Sequence, residues 1–329
     1  MARFLVRRIL QGVLVMWLVT VASFLLFFAG GQGPKDVARR IGGKAASQAK
    51  LDQIIHDLGL NQPLWQQYWH FIYGTPHRAG LLRGGLGQDY FFQIPVTHIL
   101  KTAAPITLSL AIGASILWLL MGLASGILSA VRPRSFLDRL FTTIALFFYS
   151  LPTFVLGLLL LLVFYYDFST KLHLHWFPAA GYVDFTSNPL QWAHHLILPW
   201  ITLAVVSAAA YTRLSRSSML DVLGEDYIRT ARAKGLSERR VVLRHGLRAA
   251  LTPIVTQFGI DVAVLIGGAV VTETVFSMQG LGYTAVQAIS NQDLPVILGI
   301  VVVASAAVVV ANIVVDILYA ILDPRVRLS

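Results

Sequence analysis

The chain has 329 residues, of which 56% are hydrophobic and 13% charged, with a net charge of +10 and no cysteine; its mean hydropathy is +0.68. That balance excludes a soluble two-domain protein and points to a chain that crosses a membrane several times. The missing cysteines exclude a disulfide framework, a thiolate metal site and a cysteine nucleophile, and the basic excess lies in short loops beside apolar segments, where it reports topology rather than a nucleic-acid partner.

Phe4 to Ala29 is apolar apart from Arg7, Arg8 and small polar groups. It is long enough to cross the roughly 30 Å hydrocarbon layer, and too long for the apolar region of a cleaved signal peptide, so residues 1–30 are expected to be an uncleaved anchor. Residues 31–94 read as short helices on the outer face. Leu51, Ile54, Ile55 and Leu58 form one helical stripe ending at Gly59, and Pro63 opens a second stripe of Leu64, Tyr68, Phe71 and Ile72 before Gly74. Trp65, Tyr68 and Trp69 are placed for the membrane interface. Gly42-Gly43-Lys44 lacks both the upstream glycine and the following hydroxyl of a phosphate loop.

Pro95 is expected to begin a short helix leading into a second span, Pro105 to Ala130, in which Gly113, Gly122 and Gly126 offer small faces for close packing. Arg132, Arg134 and Arg139 against Asp138 mark a cytoplasmic turn before a third span, Leu140 to Tyr166. The outer loop from Asp167 to His194 sets Lys171 against Asp167 and Asp184. Its His173, His175, His194 and His195 are read as interfacial rather than as metal ligands. A fourth span, His195 to Tyr211, returns the chain to the cytoplasmic side.

Residues 213–250 then form a polar island. E-D-Y-I-R-T-A-R-A-K-G-L runs from Glu225 to Leu236, and S-E-R-R-V-V-L-R-H-G-L-R from Ser237 to Arg248. Leu220, Leu223, Tyr227 and Ala231 recur at spacings of three and four, opposite Asp226, Arg229 and Arg232, which predicts an amphipathic helix. Gly235 sits where a C-cap needs a left-handed residue, and Ser237 with Glu238 starts a second helix.

The first of these stretches resembles the EAA loop of binding-protein-dependent ABC importer permeases of the dipeptide/oligopeptide/nickel (DppB/OppB-like) family. Arg229 stands where the general motif has Glu, Thr230 and Ala231 follow at its alanines, Gly235 is its glycine, and Pro253 its more distant proline. The likeness spans nearly the whole chain, including D-L-G-L-N-Q-P-L-W-Q-Q-Y from Asp57, T-E-T-V-F from Thr272 and D-P-R from Asp323. It implies an ATPase-coupling surface carried by Tyr227, Arg229, Thr230, Ala231, Ala233, Gly235 and Leu236. It also implies a second homologous permease, two cytoplasmic ATPase subunits that bind ATP and Mg, and an extracytoplasmic solute-binding protein. The chain itself is expected to bind no cofactor and to perform no covalent chemistry.

Spans five (Leu251 to Thr272) and six (Leu294 to Leu322) enclose an outer loop, Glu273 to Asp293, without Lys or Arg; its F-S-M-Q-G-L-G resembles the family's F-x-x-P-G-L-G, with Gln279 in place of proline. Asp261 and Asp316 are acids within the spans. A carboxylate there must face protein or water, so Asp261 is expected to be structural or to line the pathway. In a rival reading, a proton-coupled secondary carrier, Asp261 would be the coupling acid; a nickel or other-solute permease of the same family, and a scaffold without transport, are further readings.

The expected architecture is all-α: a polytopic membrane protein with six transmembrane helices and the ABC importer type I (MetI-like) fold. Its parts are an anchor (1–30), an outer segment (31–94), a permease core (95–322) and a tail (323–329), in a bacterial or archaeal plasma membrane with both termini cytoplasmic. The resemblance implies half of a translocation pathway for peptides.

Overall fold

The computed structural model describes residues 2–29, 33–43, 46–57, 59–75, 78–171, 173, 176–178, 180–266 and 269–322. Leu58, His175 and the tail from Asp323 lie outside them. The fold is all-α except for one hairpin of two-residue strands. Among the described residues five helices are long and apolar enough to cross a bilayer, and a bent pair of shorter helices passes the same test when taken together.

Helix α1, Ala2–Ala29, precedes three short helices, α2 (Pro34–Gly42), α3 (Gln48–Asp57) and α4 (Leu64–Tyr73). The expected stripe of α3 holds, with Leu51 buried and Ile54 and Ile55 half-buried. On α4 the aromatic residues divide. Trp65 and Trp69 are exposed, whereas the Tyr68 ring packs edge-on against Phe24 at 5.3 Å and its hydroxyl meets Thr20 Oγ1 at 2.9 Å. Tyr68 thus fastens the outer segment to α1 rather than sitting free at the interface. After α4, Gly74 turns with φ +88° into the hairpin β1 (Gly74–Thr75) and β2 (Arg78–Ala79).

Helix α5 is continuous over Val96–Val131, about 54 Å at 1.5 Å per residue. The expected break before Pro105 is absent. Proline forfeits one hydrogen bond there, and burial of Ala103, Ile106 and Thr107 around it outweighs the loss. Ser135 then caps α6, Phe136–Tyr149, by accepting from the Asp138 amide at 3.2 Å.

The expected single third span is corrected by the structure: α6 and α7 (Thr153–Leu160, continuing through a π-helical stretch to Asp167 and into α8, Phe168–Lys171) meet at a bend of 100°. Pro152 explains it, since proline lacks the N–H and pushes Leu151 out of the helical region. Lys171 pairs with Asp167 at 2.9 Å, as expected.

Helix α9, Pro189–Leu223, is 35 residues long and outruns the expected span at both ends. Asn188 caps its first turn, and at the other end it continues past Tyr211, where Thr212, Ser215 and Arg216 find partners on neighbouring helices or their own backbone. The polar segment expected to be cytoplasmic is α10 (Asp226–Ala233) and α11 (Glu238–Arg240), the latter running through a π-helical turn into α12, Leu247–Ile266. Span five therefore begins well before Leu251 and ends at Ile266; Thr272 belongs to a separate helix α13, Val270–Val275. Helices α14 (Leu281–Asn291) and α15 (Leu294–Leu322) complete the chain.

The centre is the seam between α5 and α9. A Cβ at Gly122 would lie 2.3 Å from Tyr211 Cβ, one at Gly126 2.5 Å from Ser215 Cβ, and one at Gly113 2.0 Å from the Trp200 ring. These glycines set the interhelical distance, as their spacing predicts. On the far side α15 packs between α12 and α1, and Arg8 Nε holds Asp316 Oδ2 at 2.8 Å.

The outer ends of α5 and α15 are joined by two buried carboxylates. Asp89 accepts the amides of Phe91, Phe92 and Ile94, and Asp293 accepts the Tyr90 amide at 3.1 Å. Burial, with the Asp89 carboxylate nearby, pushes Asp293 up to about 6 from 3.8. Because the folded value is raised, the stabilisation is fully present below about pH 3.8 and is lost as pH rises through about 6, a swing of at most about 3 kcal/mol. Hydrogen exchange over residues 88–96 and 290–297, corrected for intrinsic rates, should show the opening free energy falling by about 2–3 kcal/mol between pH 4 and 7. Asp293→Asn should flatten that slope.

Candidate functional site

Two regions carry the residues singled out from the sequence: the polar helix α10 with its turn, and a cavity at Asp261.

Helix α10 is a separate element, because α9 stops at Leu223 and Gly224 and Glu225 break the path. The expected stripe through Leu220, Leu223, Tyr227 and Ala231 therefore does not run continuously. The buried pair on α10 is Ile228 and Ala231, which pack with Val241, and Tyr227 is 47% exposed. The break rotates the second helix relative to the first, and this moves the apolar face by one residue. Of the predicted coupling residues, Tyr227, Arg229, Thr230, Ala233 and Gly235 are exposed, Leu236 is half-buried, and Ala231 is buried beneath them. Ala231 thus seats the helix rather than presenting a surface.

Gly235 adopts φ +76°, the left-handed conformation its position predicts, and a Cβ there would meet nothing within 4 Å. Its N–H donates to the Arg232 carbonyl at 2.9 Å. Across the same turn, Arg232 grips Glu238 with Nη2 at 2.7 Å and Nε at 3.1 Å. Glu238 is consequently a bridge back to α10, and Ser237 makes no side-chain cap. Arg229 reaches Asp226 at 3.4 Å on the open surface.

The helix that delivers this surface is anchored by a pair that the sequence did not suggest. Asp138 is paired with Arg216 of α9 rather than with Arg132, Arg134 or Arg139: Oδ1 takes Nε at 2.7 Å and Oδ2 takes Nη2 at 2.9 Å, with the Arg134 amide at 2.8 Å. The residues are 78 apart in sequence, so no local spacing signals the pair. Asp138 is 5% exposed.

Asp261 of α12 borders a cavity of about 550 Å3 with Trp118, Tyr149, Ser207, Tyr211 and Gln257. Its Oδ2 accepts the Tyr211 hydroxyl and its Oδ1 accepts Gln257 Nε2, each at 2.9 Å. The other intraspan acid, Asp316, is neutralised by Arg8 and borders no cavity of note. Outside, Glu273 of the T-E-T-V-F stretch is fully buried, accepting Thr107 Oγ1 at 2.6 Å and the Tyr283 amide at 2.7 Å. Burial raises its carboxyl and these donors pull it down. Thr107 Oγ1 in turn receives the Leu281 amide, so the Gln279-bearing turn is tied to α5 without its proline. His194 engages the Trp176 carbonyl and His195 the Gln191 carbonyl, and the described residues contain no cluster of three metal-binding side chains.

The geometry combines an exposed polar helix, an ion-paired anchor and a polar cavity. Breaking the anchor should be felt in stability. In a double-mutant cycle of Asp138→Asn and Arg216→Gln, thermal unfolding of the purified protein should give a coupling energy of about 1–2 kcal/mol, discounted because Arg216 is partly exposed.

Comparison with known proteins agrees with these features. A family model described as "Binding-protein-dependent transport system inner membrane component" matches residues 120–328, and its N-terminal companion matches residues 1–111. The chain is 38% identical to the probable peptide ABC transporter permease protein y4tP of Sinorhizobium fredii over 327 residues, covering 99% of this chain and 100% of that one. It is 38% identical to the oligopeptide transport system permease protein AppB of Bacillus subtilis, with 99% and 100% covered. It is 37% identical to the glutathione transport system permease protein GsiC of Escherichia coli K12, with 99% of each covered. Among solved structures, an inward-facing MetNI methionine ABC transporter chain superposes with a TM-score of 0.53 at 20% identity, covering 69% of this chain and 97% of that one, a likeness of fold.

Proposed function

Since the chain belongs to the family of binding-protein-dependent transport system inner membrane components, we propose that it forms half of an ATP-driven pathway for peptides delivered by a solute-binding protein. It is a multi-pass permease subunit of an ABC importer and not an enzyme; ATP hydrolysis lies in separate subunits. The peptide assignment rests on the printed functions of the relatives. Its partners are a second homologous permease, two cytoplasmic ATPases carrying ATP and Mg, and the extracytoplasmic binding protein. The membrane is the plasma membrane, with both termini inside.

The observation that carries the coupling assignment is the two-faced helix α10. Ile228 and Ala231 seat it on the permease, and Tyr227, Arg229, Thr230 and Ala233 remain open to a partner. Gly235 and the Arg232–Glu238 bridge fix its angle to the next helix. ATPase closure pushes on this knob, and α9 and α12, continuous into the membrane, exchange inward-facing and outward-facing packings as largely rigid bodies. Asp261 lines the pathway and does not couple transport to protons.

Orientation is tested with single cysteines in this cysteine-free chain. A membrane-impermeant thiol reagent applied to intact cells should label Gln279→Cys and spare Ser237→Cys; the reverse pattern would place the coupling surface on the wrong side.

Coupling is tested at Gly235. Space is open there, so only backbone conformation resists a side chain, by about 1–2 kcal/mol for a β-branched residue. Gly235→Val should leave pairing with the second permease intact and reduce both ATPase co-purification and solute-stimulated hydrolysis, whereas Gly235→Asn should be tolerated, because Asn enters the left-handed region more readily. Arg229→Glu should act more mildly, since an exposed pair is worth under about 1 kcal/mol. Normal values of docking, hydrolysis and uptake in Gly235→Val would remove the coupling role from this turn.

A further inference from the structure

The cavity at Asp261 has a composition that the transport reading alone does not call for. Its only ionisable acid or base besides tyrosine is Asp261; no Lys, Arg or His is among its lining residues. Both donors to the carboxylate, Tyr211 Oη and Gln257 Nε2, are neutral, and no salt bridge to Asp261 is found among the described residues. A carboxylate offers about four lone-pair positions, so two remain for a ligand. The walls include three aromatic rings, Trp118, Tyr149 and Tyr211, whose faces attract cations. Tyr149 already holds one: the Arg213 guanidinium lies 5.6 Å from its ring centroid, outside the cavity lining. Trp118 is 2% exposed and backs the cavity with its ring 6.1 Å from that of Tyr211, and the Gln257 amide, which spends one N–H on Asp261, keeps a second. A cavity of about 550 Å3 lies within the range that holds small molecules.

An acid with free acceptor capacity, aromatic walls and a spare amide N–H on Gln257 suit a ligand that joins a primary ammonium to a carbonyl oxygen. The amino-terminal residue of a peptide is such a group. We propose that the Asp261 cavity is a subsite for the α-ammonium of the peptide in transit, with Asp261 as its counter-ion and the second N–H of Gln257 directed to the first carbonyl. This rests on the reading of the chain as a peptide permease. Tyr211 and Gln257 act as positioning residues that hold the carboxylate in place. Because Tyr211 sits on α9 against Gly122 and Asp261 on α12, a change in the angle between these two helices alters the subsite directly, which links its affinity to the transport state.

The absence of native cysteine gives a direct test. Ser207 lines the cavity, so Ser207→Cys places one thiol of this chain inside it. In the reconstituted permease–ATPase complex without nucleotide and without binding protein, the rate of labelling by N-ethylmaleimide is read on this chain after separation. Trialanine should slow labelling about tenfold, the effect of one charge-assisted hydrogen bond. N-acetyltrialanine should slow it less than about twofold, and N-acetyllysine amide less than trialanine, distinguishing an amino terminus from a side-chain ammonium. Asp261→Asn should abolish the difference between the two tripeptides, and Asp261→Glu should retain it. Equal protection by the two tripeptides, no protection by either, or protection by N-acetyllysine amide alone would overturn the proposal. Loss of the second permease on co-purification of Asp261→Asn would also overturn it, since the carboxylate would then serve the subunit interface. ATP-dependent uptake of trialanine by the wild-type complex, measured in parallel with binding protein present, tests the permease reading separately.

Discussion

The close approach of α5 and α9 is the constraint on which the rest of the molecule depends. Three glycines on α5 face Trp200, Tyr211 and Ser215, with no room for a single added carbon. In a membrane, where lipid is as apolar as leucine, this kind of backbone proximity is what gives helices a reason to pair. Once α9 is held along its length, every functional feature falls at a fixed height on it. Asn188 caps its first turn, Tyr211 donates to Asp261 farther along, Arg216 is clamped by Asp138 towards the last turns, and α10 follows its C-terminal end. A close-packed helix of this length cannot absorb a push at one end by local softening, so displacement at α10 is carried to the cavity.

The outer face is closed by a different logic. Glu273 and Asp293 are carboxylates buried to within a few per cent of full exclusion, and each holds backbone amides of a turn distant in sequence. Such groups are costly to bury unless their acceptors are used, which makes the turns they hold well defined. The outer loop consequently keeps its shape although Gln279 replaces the proline that would stiffen it: the Thr107 hydroxyl, shared between Glu273 and the Leu281 amide, supplies the restraint from the side.

Much of this was legible in the sequence, for reasons that are local. Apolar length revealed the spans, the spacing of Gly113, Gly122 and Gly126 revealed the seam, and the placement of Gly235 revealed a left-handed turn. What escaped depended on contacts between distant segments. Pro152 was visible, but a proline within an apolar run also fits a straight span, as Pro105, Pro199 and Pro253 do here; the 100° bend is decided by what packs on either side. The charges near Asp138 suggested a local cluster, whereas its partner lies on another helix. Tyr227 continues the apolar spacing of Leu220 and Leu223 only if one helix runs through Gly224, and a break of two residues is enough to put Ile228 on the buried face in its place. The cavity at Asp261 could be seen only as an isolated acid, since the aromatic walls come from three helices besides its own.

The ion pair between Arg8 and Asp316 has a bearing on how the protein is made. Its members stand 308 residues apart, at opposite ends of the chain. At ribosomal rates of about 5–20 residues per second, roughly 15–60 s separate the synthesis of the two. During that interval α1 is in or near the membrane without the helix it packs on, and Gly12 has no Val309 to meet. Only the Arg8 end of the first span waits this long, since its other end meets Tyr68 within the first seventy residues. A product truncated before α15 would keep the Tyr68 contact of α1 but lose the face of α15 on which Gly12 packs, a difference by which membrane quality control can distinguish an unfinished permease from a complete one.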